Sequence, residues 1–183
     1  MIDGPEMTPA TLAFLRESPL GADDFEWLDG DEMPQPYRML LVHEGDMTST
    51  LERFHGSQIR LDVLRIGPPG GSYVREVILW RESDRRPVEY GMLEADIDAY
   101  PPGLRPAVLA GERPLGFLLN SARMLFVSRR LGLFRVAAER MAGLLPDGTG
   151  GGFRYGRYNQ LLTADGRSLA KIIEILPEEE MTT

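Results

Sequence analysis

The stretch QIRLDVLRIGPPGGSYVREVILWR, residues 58–81, decides the fold predicted for this chain. Its first part, 59–65, alternates apolar with charged residues, which is the period of a strand that buries one face. Its second part, 73–81, is rich in β-branched and aromatic residues, which favour strands. Glycine and proline at 67–71 supply a turn between the two. The stretch therefore predicts an antiparallel hairpin.

Further strands and short helices complete the predicted secondary structure. Residues 85–92 continue the sheet, and 155–163 pairs with 168–176 in a final hairpin around an Asp-Gly turn. Helices are predicted at 10–16, 46–54, 105–110 and 114–120, and a glycine-rich loop at 146–152. The segment 124–145 has no clear period, although its composition favours helix. Because tight turns join consecutive strands, the chain is predicted to be α+β, with a single, mainly antiparallel sheet and helices packed on it.

Composition limits the functions open to the chain. Its 183 residues suit one domain over 1–183, of which 1–37 would form an N-terminal helix and an acidic loop. A net charge of −8 argues against a nucleic-acid partner. The absence of cysteine excludes thiolate metal sites, and two histidines leave little for a metal centre, so we expect no metal. No long apolar run predicts a membrane span, and we expect a soluble, cytoplasmic protein.

Two ionisable residues lie in predicted apolar strands, Arg75 in 75–80 and Glu174 in 173–177. Unpaired buried charge is costly, so each needs a partner. A small-molecule ligand with carboxylates of its own would supply one for Arg75. Alternatively, Arg75 is structural and pairs with a glutamate of the chain, for which Glu76, Glu89 and Glu174 are available. Glu76 follows Arg75 by one position and should face the opposite side of the sheet.

Five short blocks resemble the chorismate lyase family in their order along the chain, from about residue 38 to residue 177. The blocks are Asp46-Met47-Thr48 with Glu52 and Gly56; Arg75-Glu76-Val77-Ile78-Leu79; Pro114-Leu115-Gly116; Tyr155-Gly156-Arg157; and Glu174-Ile175-Leu176-Pro177. The resemblance implies a chorismate lyase-like fold with an enclosed ligand pocket. It also implies a cofactor-independent lyase, which converts chorismate to 4-hydroxybenzoate and pyruvate.

The resemblance also implies roles for individual residues. Arg75 would bind a substrate carboxylate, and Glu174 would transfer the proton. Burial in an apolar strand would raise the pKa of Glu174 and suit it to act as a general acid. Leu115 and Gly116 would lie at the ligand pocket. Arg157 would bind the ligand or cap the last hairpin.

One departure from the family pattern leaves other functions open. Where well-known members carry a second ligand-binding arginine, this chain has Gly91. The loss of that arginine is consistent with a cyclase or eliminase of secondary metabolism, acting on another anionic or polyketide-like substrate. The same fold also occurs as a non-catalytic effector-binding module in transcription regulators. The region before Arg38 is short and acidic for a DNA-binding domain, which favours the enzyme.

Overall fold

The structure is a computed structural model, which describes residues 3–68, 72–145 and 151–179. The strands are β1 (Glu26–Leu28), β2 (Ile59–Ile66), β3 (Tyr73–Arg81), β4 (Pro87–Ala95), β5 (Phe126–Ala137), β6 (Phe153–Thr163) and β7 (Ser168–Ile175). The helices are α1 (Pro9–Leu15), α2 (Tyr37–Leu41), α3 (Met47–His55), α4 (Arg105–Ala110), α5 (Leu115–Ser121) and α6 (Ala138–Met141). Short 3₁₀ turns lie at Ala22–Asp24, Gly30–Glu32 and Ile97–Ala99.

In the described residues the strands form one seven-stranded sheet in the order β1-β5-β6-β7-β4-β3-β2. Every neighbouring pair is antiparallel. The α+β class and the antiparallel sheet predicted from the sequence are therefore confirmed. The last strand of the chain, β7, lies between β6 and β4, so residues 172–175 cross the centre of the sheet.

The two faces of the sheet are covered differently. One face packs against α1 and α6 through a buried cluster that includes Phe14, Tyr90 and Met141. The other face packs against α2 and α3 through one apolar cluster and against α4 and α5 through a second. Because side chains alternate along a strand, Arg75 points to the face of α4 and α5, whereas Glu76 points to that of α1.

The segment 124–145 differs from the composition-based expectation of helix. Most of it is β5, which pairs with β6 from Phe126 to Ala137, and only Ala138–Met141 is helical. The register shifts between Arg130 and Gly132, so the alternation that marks a strand changes phase partway along it. That bulge explains why no single period is visible in the sequence.

Other predictions differ in smaller ways. The apolar run at 37–42, whose partners the sequence does not reveal, forms α2, and the acidic loop contains the short strand β1. Residues 69–71 of the predicted turn and 146–150 of the predicted loop lie outside the described residues. Within the described part of the chain, no helix has the length and apolar character needed to cross a membrane.

Candidate functional site

A cavity lies between the sheet and the first residues of α3 and α5. Side chains of β2, β3, β4, β6 and β7 form its floor. It contains about 570 Å³ of empty space, counting the part open to solvent, and about 60 Å³ that the centre of a water molecule can reach. The structure brings all five residues predicted as site residues to this cavity: Arg75, Leu115, Gly116, Arg157 and Glu174. In the described residues no group of three or more histidine, aspartate and glutamate side chains could hold a metal ion.

Arg75 is a buried cation with few protein partners. Only 2% of the surface of Arg75 is exposed to solvent. Nη1 donates to the carbonyl of Val108 in α4 at 3.3 Å, and Nη2 donates to the carbonyl of Arg113 at 3.5 Å. Nε is buried and has no hydrogen-bond partner in the described residues. Both bonds are long for N–H···O geometry, so the guanidinium is weakly satisfied.

The structural alternative for Arg75, a pairing with a glutamate of the chain, is not what the structure shows. Glu76 faces the other side of the sheet, as predicted, where it accepts from Tyr90 Oη at 2.5 Å and from Arg65 Nε at 2.9 Å. Glu174 pairs with Arg157 instead. Among the described residues, no carboxylate oxygen lies within 4.0 Å of the Arg75 guanidinium.

Arg157 and Glu174 form a buried ion pair in the wall of the cavity. Arg157 is fully buried and Glu174 is 4% exposed, and Arg157 Nε donates to Glu174 Oε2. The other guanidinium nitrogens of Arg157 donate to the carbonyls of His43 at 3.2 Å and Gly45 at 3.4 Å. The pair arises because β6 and β7 place the two residues directly opposite each other. Glu174, which the sequence places in an apolar strand, therefore has its partner within the chain.

Glu89 is a cavity residue that the sequence did not reveal as part of the site. It is 4% exposed, and its Oε2 is buried without a hydrogen-bond partner in the described part of the chain. Burial raises the pKa of its carboxyl well above the ordinary value, the negative charge of Glu174 raises it further, and Arg157 opposes both. Alternation along β4 could have revealed it, because Glu89, Gly91 and Leu93 share the face that lines the cavity.

Two glycines lie where the cavity wall is tightly packed. A Cβ on Gly91 would lie 3.1 Å from Val77 Cγ2 and 3.3 Å from Glu89 Oε1, so these two side chains already close around the position of the missing arginine. A Cβ on Gly116 would lie 2.9 Å from Asp46 Oδ1, which caps α3 by accepting from Ser49 N at 2.8 Å. Gly116 therefore allows α5 to approach the capped end of α3.

Comparison with known proteins identifies the fold. Neither a protein-family model nor a curated protein matches the chain. The effector domain of PhnF from Mycobacterium smegmatis matches with a TM-score of 0.54 and 14% identity, over 75% of this chain and 91% of that domain. Intact PhnF from the same organism matches with a TM-score of 0.53 and 16% identity, over 77% of this chain and 67% of that one. The possible transcriptional regulator YydK from Bacillus subtilis matches with a TM-score of 0.50 and 10% identity, over 94% of this chain and 80% of that one.

These likenesses show the fold of the chain. It is the chorismate lyase-like α+β fold, as predicted, and the PhnF effector domain shares it. The prediction of an enzyme is wrong: the solved structures named above are an effector domain, the intact protein that carries it and a possible transcriptional regulator.

Proposed function

We propose that this chain is a non-catalytic effector-binding domain whose ligand is a small molecule with an anionic group, such as a carboxylate, held by Arg75. The observation that carries the proposal is a buried guanidinium at a cavity without a counter-ion among the described residues. The regulator effector domain with the same fold supports the non-catalytic class.

The energetics of Arg75 favour a ligand anion over an empty site. Burying an ion costs several kcal/mol unless a partner repays the lost hydration. Two long bonds to neutral carbonyls repay only part of it, and Nε contributes nothing. A carboxylate could accept two parallel bonds from the guanidinium, and each charge-assisted hydrogen bond contributes about 1.5–3 kcal/mol. Ligand binding would thus relieve a cost that the free protein carries.

The dimensions of the cavity favour a small ligand. One buried water occupies roughly 10–15 Å³ of a cavity, about the volume of one water-sized sphere. The cavity has about 60 Å³, which suits several waters or a compact organic anion. A larger ligand would require α3 or α5 to move, because their first residues line the opening side of the cavity.

The contacts of Arg75 suggest how the ligand changes the domain. The guanidinium holds the carbonyls of Val108 in α4 and of Arg113 just before α5. Gly111, at the end of α4, approaches so closely that a Cβ there would lie 2.9 Å from Nη1. An anion that competes for the same nitrogens would weaken these bonds and shift the position of α4. A ligand can change the populations of two states only by binding them unequally, and this competition supplies such a difference.

Anion binding to Arg75 variants tests the proposal. Thermal melts and calorimetric titrations would compare acetate, pyruvate, 4-hydroxybenzoate and inorganic phosphate, in a buffer that contains neither carboxylate nor phosphate. At about a hundredfold excess over Kd, a ligand stabilises the folded state by about 2.7 kcal/mol. We expect the anions to stabilise the wild type. They should bind more weakly to Arg75→Lys, because an ammonium cannot form the two parallel hydrogen bonds of a guanidinium, and they should not stabilise Arg75→Met.

Arg60→Met is the matched control, because Arg60 is a surface arginine on the adjacent strand β2, paired with Glu82. It should bind each anion as the wild type does. The proposal fails if no anion stabilises the wild type more than it stabilises Arg75→Met.

A further inference from the structure

Resting on the proposed function, we infer that the ligand is bipolar: its anionic group pairs with Arg75, and a positively charged group, such as an ammonium, pairs with Glu89. The ligand class is therefore a zwitterion. Nothing in the fold likeness specifies this, and the inference depends on the second unpartnered group in the cavity.

The charged groups of the cavity floor leave one residue of each sign without a partner. Arg157 and Glu174 satisfy each other. Arg75 has no carboxylate within reach, and Glu89 Oε2 has no hydrogen bond, among the described residues. All four residues line the same cavity, and each is at least 96% buried. A ligand that pairs with both groups in their charged forms carries one charge of each sign.

The strand register separates the two unpartnered groups. Arg75 of β3 lies opposite Leu93 of β4, and Glu89 lies four positions before Leu93 on the same face. Four residues span about 14 Å along a strand, measured between Cα atoms. Gly91 lies between them on β4, and a Cβ there would lie 3.3 Å from Glu89 Oε1, so the carboxyl of Glu89 extends along the wall toward Arg75. The two ends of a small molecule that lies along this wall could therefore reach both groups.

The surroundings of Glu89 make it sensitive to the charge of the ligand. Glu174 on β7 and Arg157 on β6 are the charged groups that act on the pKa of Glu89. Two other charged residues, Arg75 on β3 and Asp46 just before α3, also line the cavity. Burial and Glu174 raise the pKa of Glu89, so the empty cavity favours its neutral form. A ligand ammonium would favour the carboxylate instead, and binding would release the proton. A ligand hydroxyl would leave Glu89 neutral and release none.

Matched probes distinguish a zwitterion from a simple anion. The straight-chain ω-amino acids from 3-aminopropanoate to 6-aminohexanoate would be titrated against the corresponding acids without the amino group. We expect at least one ω-amino acid to bind the wild type about tenfold more tightly than its deaminated counterpart. Titration in MOPS and in Tris, which differ in ionisation enthalpy, should show that the ω-amino acid releases more protons on binding than its deaminated counterpart does.

The Glu89→Gln variant identifies the residue responsible. Glutamine keeps the shape and can still form hydrogen bonds, but it cannot ionise. It should lose both the preference for the amino group and the proton release, while it keeps the binding of the deaminated acids. Glu82→Gln is the control, because Glu82 is an exposed glutamate at the end of the β3 region, paired with Arg60. It should behave as the wild type.

The outcomes separate this inference from the proposed function. If the deaminated acids bind through Arg75 as tightly as every ω-amino acid does, the bipolar ligand is wrong and the anion site stands. The bipolar ligand is equally wrong if an amino-group preference survives in Glu89→Gln, or if anions bind and no ω-amino acid does. If no anion binds through Arg75, the proposed function fails, and the inference that rests on it fails too.

Discussion

Arg75 and Arg157 are two buried arginines in one cavity, and removal of Arg157 should destabilise the protein, whereas removal of Arg75 should not. Arg157 has a carboxylate partner in Glu174, whereas Arg75 has two long bonds to carbonyls. The perturbation is the same in both cases, a substitution by methionine, which removes the charge and keeps an unbranched apolar side chain. The comparison therefore isolates the effect of the counter-ion in the ligand-free protein.

The magnitudes follow from what each substitution leaves behind. Arg157→Met leaves Glu174 buried without its partner, and breaking a buried pair in this way typically costs about 3–5 kcal/mol. Arg75→Met removes one long hydrogen bond from each of two carbonyls, which lowers the free energy of unfolding by at most about 0.5–1.5 kcal/mol for each bond. It also removes an ion whose burial costs several kcal/mol. We therefore expect the Arg75 variant to be as stable as the wild type or up to about 2 kcal/mol more stable.

Urea unfolding followed by circular dichroism measures both changes, in a buffer free of carboxylates and phosphate. A change of 1 kcal/mol corresponds to roughly 2–4 °C in Tm for a domain of this size, so thermal melts provide a second reading. A loss of about 2 kcal/mol or more in Arg75→Met would refute the reasoning, because it would make Arg75 a structural residue. Equal losses in the two variants would refute it as well.

Three further predictions concern other residues of the site. Glu89→Gln should flatten the pH dependence of stability. A carboxyl with a raised pKa in the folded state stabilises the protein at low pH, and that stabilisation is lost as the pH rises from the ordinary glutamate range toward the raised pKa. Urea unfolding across this range should therefore show a smaller decline in the free energy of unfolding for the variant than for the wild type. Gly116→Ala should displace the Asp46 carboxylate from the first turn of α3 and lower the stability of the fold by about 1 kcal/mol. Thermal melts measure this loss. An unchanged Tm would mean that α5 can shift without loss of the cap. Gly156→Ala would place a Cβ well inside van der Waals contact with the backbone oxygen of Glu174, so strands β6 and β7 must separate locally. Urea unfolding should show a loss of about 1–3 kcal/mol in the free energy of unfolding. An unchanged free energy would contradict this packing.

Local sequence patterns were sufficient for much of the fold and part of the site. Alternation predicted β2, and β-branched and aromatic content predicted β3. An Asp-Gly turn predicted the last hairpin, and α4 was predicted at the bounds that the structure has. Alternation also put Arg75 and Glu76 on opposite faces, which the structure bears out. These properties depend on neighbours a few residues away along the chain, so the sequence alone can express them.

The tertiary structure decided which charges meet. The insertion of β7 between β6 and β4 sets Glu174 opposite Arg157 and beside Gly91, residues far apart in the sequence. That strand order gives Glu174 a counter-ion and leaves Arg75 and Glu89 without one in the described part of the chain. The bulge in β5 likewise becomes clear only from its pairing with β6. Strand order and ion pairing result from long-range packing, in which many residues compete as partners. A local period in the sequence therefore cannot predict which strands or charges meet.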